Sequence, residues 1–399
     1  MVILLKLLNT ELTMSNTHKS ILILHSSSDL YGASKILLTT IKIFKENGFI
    51  VEVVLSEEGR LSYAIREESI KVYIIRLGIL RRKYFNIKGI FNRVFVVSKA
   101  YKQLLNIIEK EDFTHIYSNT TAVLVGALVA KKTKTYHIWH IHEIITNPMW
   151  FTRIMGSFVN RYSDYAIAVS EAVSQYWRPY ISKEKLKVIY NGIDYTPYLS
   201  PTKSFRELNG INQDVLLIGM IGRISAWKGQ LYFLDIADQI VKNYSNVHFL
   251  IVGDAFPGDE HLLTALNKKI LKLNLENVVT VLDFQQNVSS IYEALDIFVL
   301  PSIKPDPLPT VVLEAMASAK AVIATGHGGA LEMVLEGKTG IFIPHDNAKA
   351  AYQKIKLLLS DSLYRNNLGH NGRERVLKAF SEDSFKINIM EIFKDTESK

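Results

Sequence analysis

The sequence predicts an α/β protein of two doubly wound units, each a parallel sheet covered by helices on both faces. Three observations carry that prediction: short β-branched runs alternate with longer helical patterns, the runs are apolar throughout, and the pattern starts again half-way along the chain. Strands that are apolar on both faces need cover on both, which the crossover helices of a parallel sheet supply. A length of 399 residues also favours two cores over one.

The elements follow in order. ILILH (21–25) precedes the helical ASKILLTTIKIFKENG (33–48), then FIVEVVL (49–55), and THIYSN (114–119) leads into the helical TAVLVGALVAKK (121–132). HIWHIHE (137–143) is a further strand. The second half repeats the scheme with VLLIGMIG (215–222), VHFLIVG (247–253), VVTVLDF (278–284), IFVLP (297–301), AVIAT (321–325) and TGIFIP (339–344). Between the halves, residues 190–214 combine two prolines and two Asn-Gly pairs with little periodicity, the mark of a boundary. The expected organisation is a first domain over 1–195, a linker over 196–213, a second domain over 214–378 and a C-terminal helix over 379–399 packing back toward the first domain. The opening MVILLKLLNTELTM has a short apolar run broken by Lys6, with no basic region before it, so it is not read as a signal peptide. Met14 is an alternative native start, which makes residues 1–13 a non-native or disordered beginning.

Composition narrows the chemistry. With no cysteine there are no disulfides, thiolate metal sites or thiol nucleophiles, which suits a reducing cytoplasm. No stretch approaches the roughly 20 apolar residues of a spanning helix. The net charge of +8 is uneven: residues 1–194 hold 26 Lys and Arg against 16 Asp and Glu, and residues 195–399 hold 21 against 23. A basic half suits an anionic membrane or an acidic substrate. No nucleic-acid-binding pattern accompanies it, and nucleic acid is not expected as a partner.

Ligands of doubly wound sheets bind beyond the carboxyl ends of the strands, so the residues there are the candidates. KPDPLPTVVLEAMASAKAVIATGHGG (304–329) places Asp306 among Pro305, Pro307 and Pro309, and Glu314 eight residues on in an apolar helix pattern. Pro307 and Pro309 fit a helix's first turn, leaving the N–H groups of Thr310 and Val311 to meet a phosphate at the positive end of the helix dipole. Glu314 and Asp306 could each accept hydrogen bonds from sugar hydroxyls. The plainer alternative makes Asp306 a helix cap and Glu314 a solvated helix residue. In GMIGRISAWKG (219–229), Arg223 and Lys228 flank a short loop where two cations could converge on a diphosphate, or form an ordinary solvated pair. Gly32 opens a helix in DLYGASK (29–35), and the glycines of GHGGALE (326–332) suit close backbone approach better than a dinucleotide fingerprint, whose spacing they lack. His140 and His142 fall on one strand face by the period of two; they could bind a metal, but no third ligand is identifiable. A hydrogen-bonding or catalytic histidine at the strand's end, or for His140 a core histidine, are the other readings.

Together these segments resemble the retaining nucleotide-sugar glycosyltransferases of family 4, which have the GT-B fold: two Rossmann-like doubly wound parallel-sheet domains facing a central cleft. The resemblance runs from about residue 20 to 380 and rests on GRISAWKG, IVGD and the segment from ALDIFVLPS to GIFIP, with HIHE, AVSEAVSQYW and VIYNGID in the first half. It implies that Arg223 and Lys228 bind the donor diphosphate, Glu314 the ribose and Asp306 the transferred sugar, and that His142 faces the reacting sugar. Gly32, Gly222, Gly253, Leu308, Pro309, Thr310 and Val311 would complete the donor site, and His140, Glu143 and Asn191 would lie between the domains or near the acceptor. Two departures stand out: the first acid is Asp306 where the family has Glu, followed by PLPT, and the family's Gly-Gly in the first loop is Tyr31-Gly32.

The expected activity is metal-independent transfer of a hexose-type sugar from a UDP- or GDP-sugar co-substrate, with retention of configuration, in surface polysaccharide synthesis. No resident cofactor or metal is expected, since no D-x-D occurs in the chain and cations and dipoles stand ready for the diphosphate. The acceptor would be a glycan or an undecaprenyl-type lipid-linked glycan, and the place of work the cytoplasm, peripheral on the inner face of the membrane. The basic RRKYFNIK (81–88) and KKTK (131–134), with the aromatics of NPMWF (147–151), point to that surface. A nicotinamide dehydrogenase, a nucleotide-sugar epimerase and a non-catalytic nucleotide or glycan binder are the competing readings.

Overall fold

The computed structural model describes residues 19–79, 84, 86–145, 148–200 and 205–397. The expectations for residues 1–13, for Arg81, Arg82 and Lys83, and for Asn147 lie outside them.

Thirteen strands among the described residues form two sheets. The first holds β1 (Ser20–His25), β2 (Ile50–Leu55), β3 (Lys71–Ile74), β4 (His115–Ser118), β5 (Tyr136–Ile141), β6 (Tyr165–Ala168) and β7 (Leu186–Val188), in the order β3-β2-β1-β4-β5-β6-β7. The second holds β8 (Leu216–Ile221), β9 (Val247–Val252), β10 (Val279–Leu282), β11 (Ile297–Leu300), β12 (Ala321–Thr325) and β13 (Gly340–Ile343), in the order β10-β9-β8-β11-β12-β13. Pairing is parallel, with Ile21 opposite Val51 in the first sheet and Ile297 opposite Ala321 in the second. Each order reverses once, between β1 and β4 and between β8 and β11, and such a switch point opens a crevice at the strands' carboxyl ends. The continuous apolar runs predicted this burial: Ile21, Leu22, Ile23 and Leu24 are fully enclosed, as are Ile297, Phe298 and Ile323.

Three strands were not anticipated, β3, β6 and β7. β3 (KVYI) and β7 (LKV) each carry a lysine and are only partly buried, so they lack the unbroken apolar run, whereas β6 (YAIA) is fully buried and has it over four residues only. The helix expected over 121–132 begins only at Val125, and that expected over 33–48 spans Gly32–Glu46. Two short helices, Thr196–Leu199 and Phe205–Leu208, lie in the segment read as aperiodic.

Packing divides the chain into two compact units. One comprises the described residues of Met1–Asp29 with Thr40–Trp139 and Arg161–Asp164; the other comprises Leu30–Thr39, His140–Asn160 and the described residues of Tyr165–Lys399. In the first, Leu22, Leu24 and Ile116 of the strands meet Leu104 and Ile108 of the helix Ile87–Glu111. In the second, Ile218, Phe249 and Val299 meet Phe233 and Ile355 from the helices Gln230–Val241 and Ala348–Ser360. The C-terminal helix Glu382–Glu397 also belongs to this unit, where Phe385 stacks on His140 and Asp395 accepts a hydrogen bond from the Tyr165 hydroxyl.

Burial holds three histidines neutral, His25 and His137 with pKa values lowered to about 4 and His140 to about 3. An unfolded histidine titrates near 6.5, so between pH 6.5 and 4 the unfolded chain binds protons that the folded chain refuses. Folding stability is therefore fully present above about pH 6.5 and is expected to fall steadily as the pH drops toward 4. Urea midpoints measured across that range check this, and a flat profile would contradict the buried neutral histidines.

Candidate active site

The switch point of the second sheet brings together the loops that follow β8 and β11. After β8 the chain runs through Gly222 and Arg223 to Lys228 and turns at Gly229, which has φ +83°. A Cβ on Gly229 would lie 1.9 Å from the Pro301 carbonyl oxygen, so only glycine lets this loop close against the end of β11. That approach sets Lys228 Nζ 2.8 and 2.9 Å from the two carboxylate oxygens of Asp306. Ser302 Oγ donates to the same carboxylate at 2.7 Å, and the backbone of Asp306 is held by the GHGG loop, whose Gly329 N–H donates to its carbonyl at 2.7 Å. At Gly328, with φ +62°, a Cβ would lie 2.3 Å from the same carbonyl oxygen. The glycines thus serve close backbone approach, as their spacing suggested.

Asp306 is buried and is not a helix cap. The helix Thr310–Ala317 begins after Pro309, its N-cap, with no side-chain cap hydrogen bond. Pro309 and Pro307 therefore precede the helix; they do not occupy its first turn. Neither is Glu314 solvated: it is 1% exposed. Its Oε1 accepts from Lys35 Nζ at 2.9 Å, and its Oε2 accepts from the Tyr292 hydroxyl at 2.9 Å. Tyr198 is near the same carboxylate, and burial followed by the Glu314 charge raises its pKa.

The segment Leu30–Thr39, which opens the helix Gly32–Glu46, lies in the same unit. The Tyr31 hydroxyl donates to Asp254 Oδ1 at 2.6 Å and accepts from the Asp254 N–H at 3.0 Å, and burial raises its pKa. The Arg223 guanidinium lies 4.8 Å from the Tyr31 ring centroid and 5.3 Å from that of Phe256. A pocket opens here, lined among others by Gly32, Lys35, Gly222, Gly253, Thr310 and Glu314. Val311 also lines it; Arg223, Lys228, Asp306, Leu308 and Pro309 do not. Leu308 and Pro309 are buried in the turn before the helix.

His142 lies one residue beyond the end of β5, so it is not on the strand as the alternation suggested. Its ring nevertheless stays 4.1 Å from that of His140, centroid to centroid. His140 is fully enclosed, which is the core-histidine reading, while His142 is half-buried. The His142 N–H donates to Glu143 Oε2 at 3.2 Å, and the Glu143 carbonyl accepts from Trp177 Nε1 at 2.9 Å. Asn191 is buried, next to Gly192, where the chain passes against Ser381. Among the described residues no group of three or more His, Asp or Glu stands close enough together to hold a metal ion.

A family model described as glycosyltransferase family 4 matches residues 31–196, and one described as glycosyl transferases group 1 matches residues 201–375. The chain belongs to the group 1 glycosyltransferases. Its two parallel-sheet domains are the GT-B architecture: the crystal structure of Anabaena HepE in complex with UDP and glucose superposes with a TM-score of 0.82 at 25% identity, covering 94% of this chain and 100% of that one. Among curated relatives, the Campylobacter jejuni α-1,4-N-acetyl-D-galactosaminyltransferase, named for a diphosphate-undecaprenol-linked glycan, is 24% identical over 86% of this chain and 90% of its own. An Escherichia coli α-1,3-galactosyltransferase, named for UDP-Gal and a diphosphoundecaprenol-linked GlcNAc, is 22% identical over 92% of this chain and 95% of its own. Family membership favours transfer over the dehydrogenase and epimerase readings.

Several residues that hold these side chains have no motif of their own in the sequence. Lys35, Tyr292 and Tyr198 surround Glu314, and Ser302 holds Asp306. Glu332, the last residue of GHGGALE, accepts from the N–H groups of Glu171 and Ala172 at 2.7 and 2.8 Å and so caps the helix Glu171–Trp177. Ser170, the N-cap of that helix, donates to the Pro307 carbonyl at 2.7 Å, which ties the AVSEAVSQYW turn to the Asp306 loop. One of them left a signal. The helix Gly32–Glu46 has no acidic residue in its first turn and carries Lys35 there, against the dipole preference. A local rule broken at a helix start points to a partner elsewhere.

Proposed function

We propose that this glycosyltransferase moves a hexose-type sugar from a nucleoside-diphosphate sugar to a glycan or lipid-linked acceptor, with retention of configuration and without a metal ion. The observation that carries the reading is the pairing of two buried acids with two lysines at the strand ends, Asp306 with Lys228 and Glu314 with Lys35. In this reading Glu314 binds the donor ribose and Asp306 the hydroxyls of the transferred sugar. Arg223, Lys228 and the N–H groups of Thr310 and Val311 meet the charge that develops on the departing diphosphate, stabilisation that acts where charge appears in the transition state. Gly32, Gly222 and Gly253 give the donor room against backbone, and His142 faces the reacting sugar. His140, Glu143 and Asn191 support the acceptor side. UDP is the favoured nucleotide, since HepE is described with UDP and the Escherichia coli relative is named for UDP-Gal.

The acceptor half of the proposal is a lipid-linked glycan for surface polysaccharide, met on the cytoplasmic side of an anionic membrane. Relatives named for undecaprenol-linked substrates support it, as do Met149 and Trp150, which are 70% and 59% exposed. No described helix is long and apolar enough to cross a membrane.

The test is transfer by the purified chain from UDP-, GDP- and ADP-sugars to an undecaprenyl-diphosphate-linked glycan, with the product's anomeric configuration read by NMR. A glycoside of the donor's own configuration, formed equally well in EDTA, is the expected result. An inverted product would overturn retention, and loss in EDTA reversed by magnesium or manganese would overturn metal independence. An altered free nucleotide sugar with no glycoside would favour an epimerase.

A further inference from the structure

The helix Ile87–Glu111 exposes an apolar stripe that the sequence reading did not single out. Ile87, Ile90, Phe91, Val94 and Phe95 are 76%, 53%, 72%, 60% and 70% exposed. Their spacing of i, i+3, i+4, i+7 and i+8 puts all five on one side of the helix. Further along the helix the side chains that pack on the core are Ala100, Leu104 and Ile108, with Val97, Tyr101 and Leu105 partly buried beside them. The apolar surface of the helix is therefore covered by the core in its C-terminal half and left outward in its first turns.

Charge says what the outward face suits. From Ser69 to Ile108 the sequence holds nine Lys or Arg and no Asp or Glu. At 100° per residue, Lys88 and Lys99 fall beside Phe95 at the border of the stripe, and both are exposed. Arg93 lies on the other flank, its guanidinium 3.9 Å from the Tyr84 ring centroid. An apolar band of Phe, Ile and Val bordered by lysine and arginine is the pattern of a helix that lies in the plane of an anionic bilayer, its rings at the acyl boundary and its cations among the headgroups.

We propose that the outward face of the helix Ile87–Glu111 is the surface on which this protein seats on anionic lipid. This deepens the membrane part of the proposed function by assigning the contact to particular residues. It adds Phe91 and Phe95 to the exposed residues near 150, and it concerns the bilayer itself, not an acceptor's lipid tail. Binding to protein-free vesicles needs neither donor nor transfer, so the two readings fail separately.

The experiment uses the full chain with phosphatidylglycerol-containing and pure phosphatidylcholine vesicles. Co-sedimentation is expected with the first and not the second, weakened by salt, and the double variant Phe91→Ser/Phe95→Ser is expected to bind at least tenfold more weakly. Because the chain has no cysteine, Phe95→Cys carries a polarity-sensitive label at one position while leaving the rest of the stripe in place. Its emission is expected to shift to the blue on anionic vesicles alone. Equal binding by wild type and the double variant would overturn the proposal, as would an unshifted label. A wild-type dimer that becomes monomeric in the double variant would assign the face to a second copy of the chain and overturn it equally.

Discussion

Lys228→Ala is expected to slow sugar transfer by about a hundredfold or more at saturating donor and to lower the melting temperature. One charge-assisted hydrogen bond contributes about 1.5–3 kcal/mol, and each ~1.4 kcal/mol is tenfold in rate. Lys228 touches both oxygens of Asp306 and, in the proposed function, the diphosphate as well, so its loss acts on two partners. The stability cost has a separate origin. Removing one member of a buried ion pair costs about 3–5 kcal/mol, and because the Lys228 side chain is 19% exposed the cost here should fall below that range. The double variant Lys228→Ala/Asp306→Asn distinguishes the two effects. Without the uncompensated carboxylate it should regain part of the melting temperature, yet turnover should stay low, since neither the diphosphate nor the sugar recovers its contact. Stability and turnover recovering together would make the pair structural only, and a wild-type turnover number in Lys228→Ala would remove Lys228 from the site.

The sheets were legible because parallel strands buried on both faces are apolar without interruption, and ILIL or AVIAT cannot be solvated on either side. β3 and β7 were not, because a lysine interrupts each and leaves it partly exposed, and β6 is a run of only four. The Asp306 and Glu314 positions could be found from their place after a strand and in a helix. Their environment could not. Asp306 reads locally as a cap because Asp often caps, but the helix starts after Pro309, and Asp306 is held by Lys228, brought in by a turn where only glycine fits against the Pro301 carbonyl. Glu314 reads as solvated because nothing near it in sequence is basic, and its cation is 279 residues away. Tyr31, a departure from the family's glycine, turned out to be docked on Asp254 beneath Arg223, a contact no local pattern announces.

Glu314→Gln is expected to raise the donor KM by about 10- to 100-fold with a much smaller change in kcat, as loss of one charged hydrogen-bond acceptor used in donor binding would. Gln is nearly as good a helix former, so the helix Thr310–Ala317 should persist. In the structure both oxygens of Glu314 are occupied, Oε1 by Lys35 and Oε2 by Tyr292. A ribose diol must therefore share the carboxylate or displace the lysine. Lys35 is 32% exposed and can move, whereas Tyr292 is fully buried and cannot without repacking. Lys35→Met is accordingly expected to raise the donor KM less than Glu314→Gln does, with Lys35→Arg restoring it, since the cation orients the carboxylate and then yields its place. UDP and its 2′-deoxy and 3′-deoxy forms make the assignment specific. If Glu314 holds the ribose, wild type should bind UDP at least tenfold tighter than one of the deoxy forms, and Glu314→Gln should bind UDP and that form alike. A discrimination that survives Glu314→Gln unchanged would place the ribose on other residues and leave Glu314 as a buried structural anion held by Lys35.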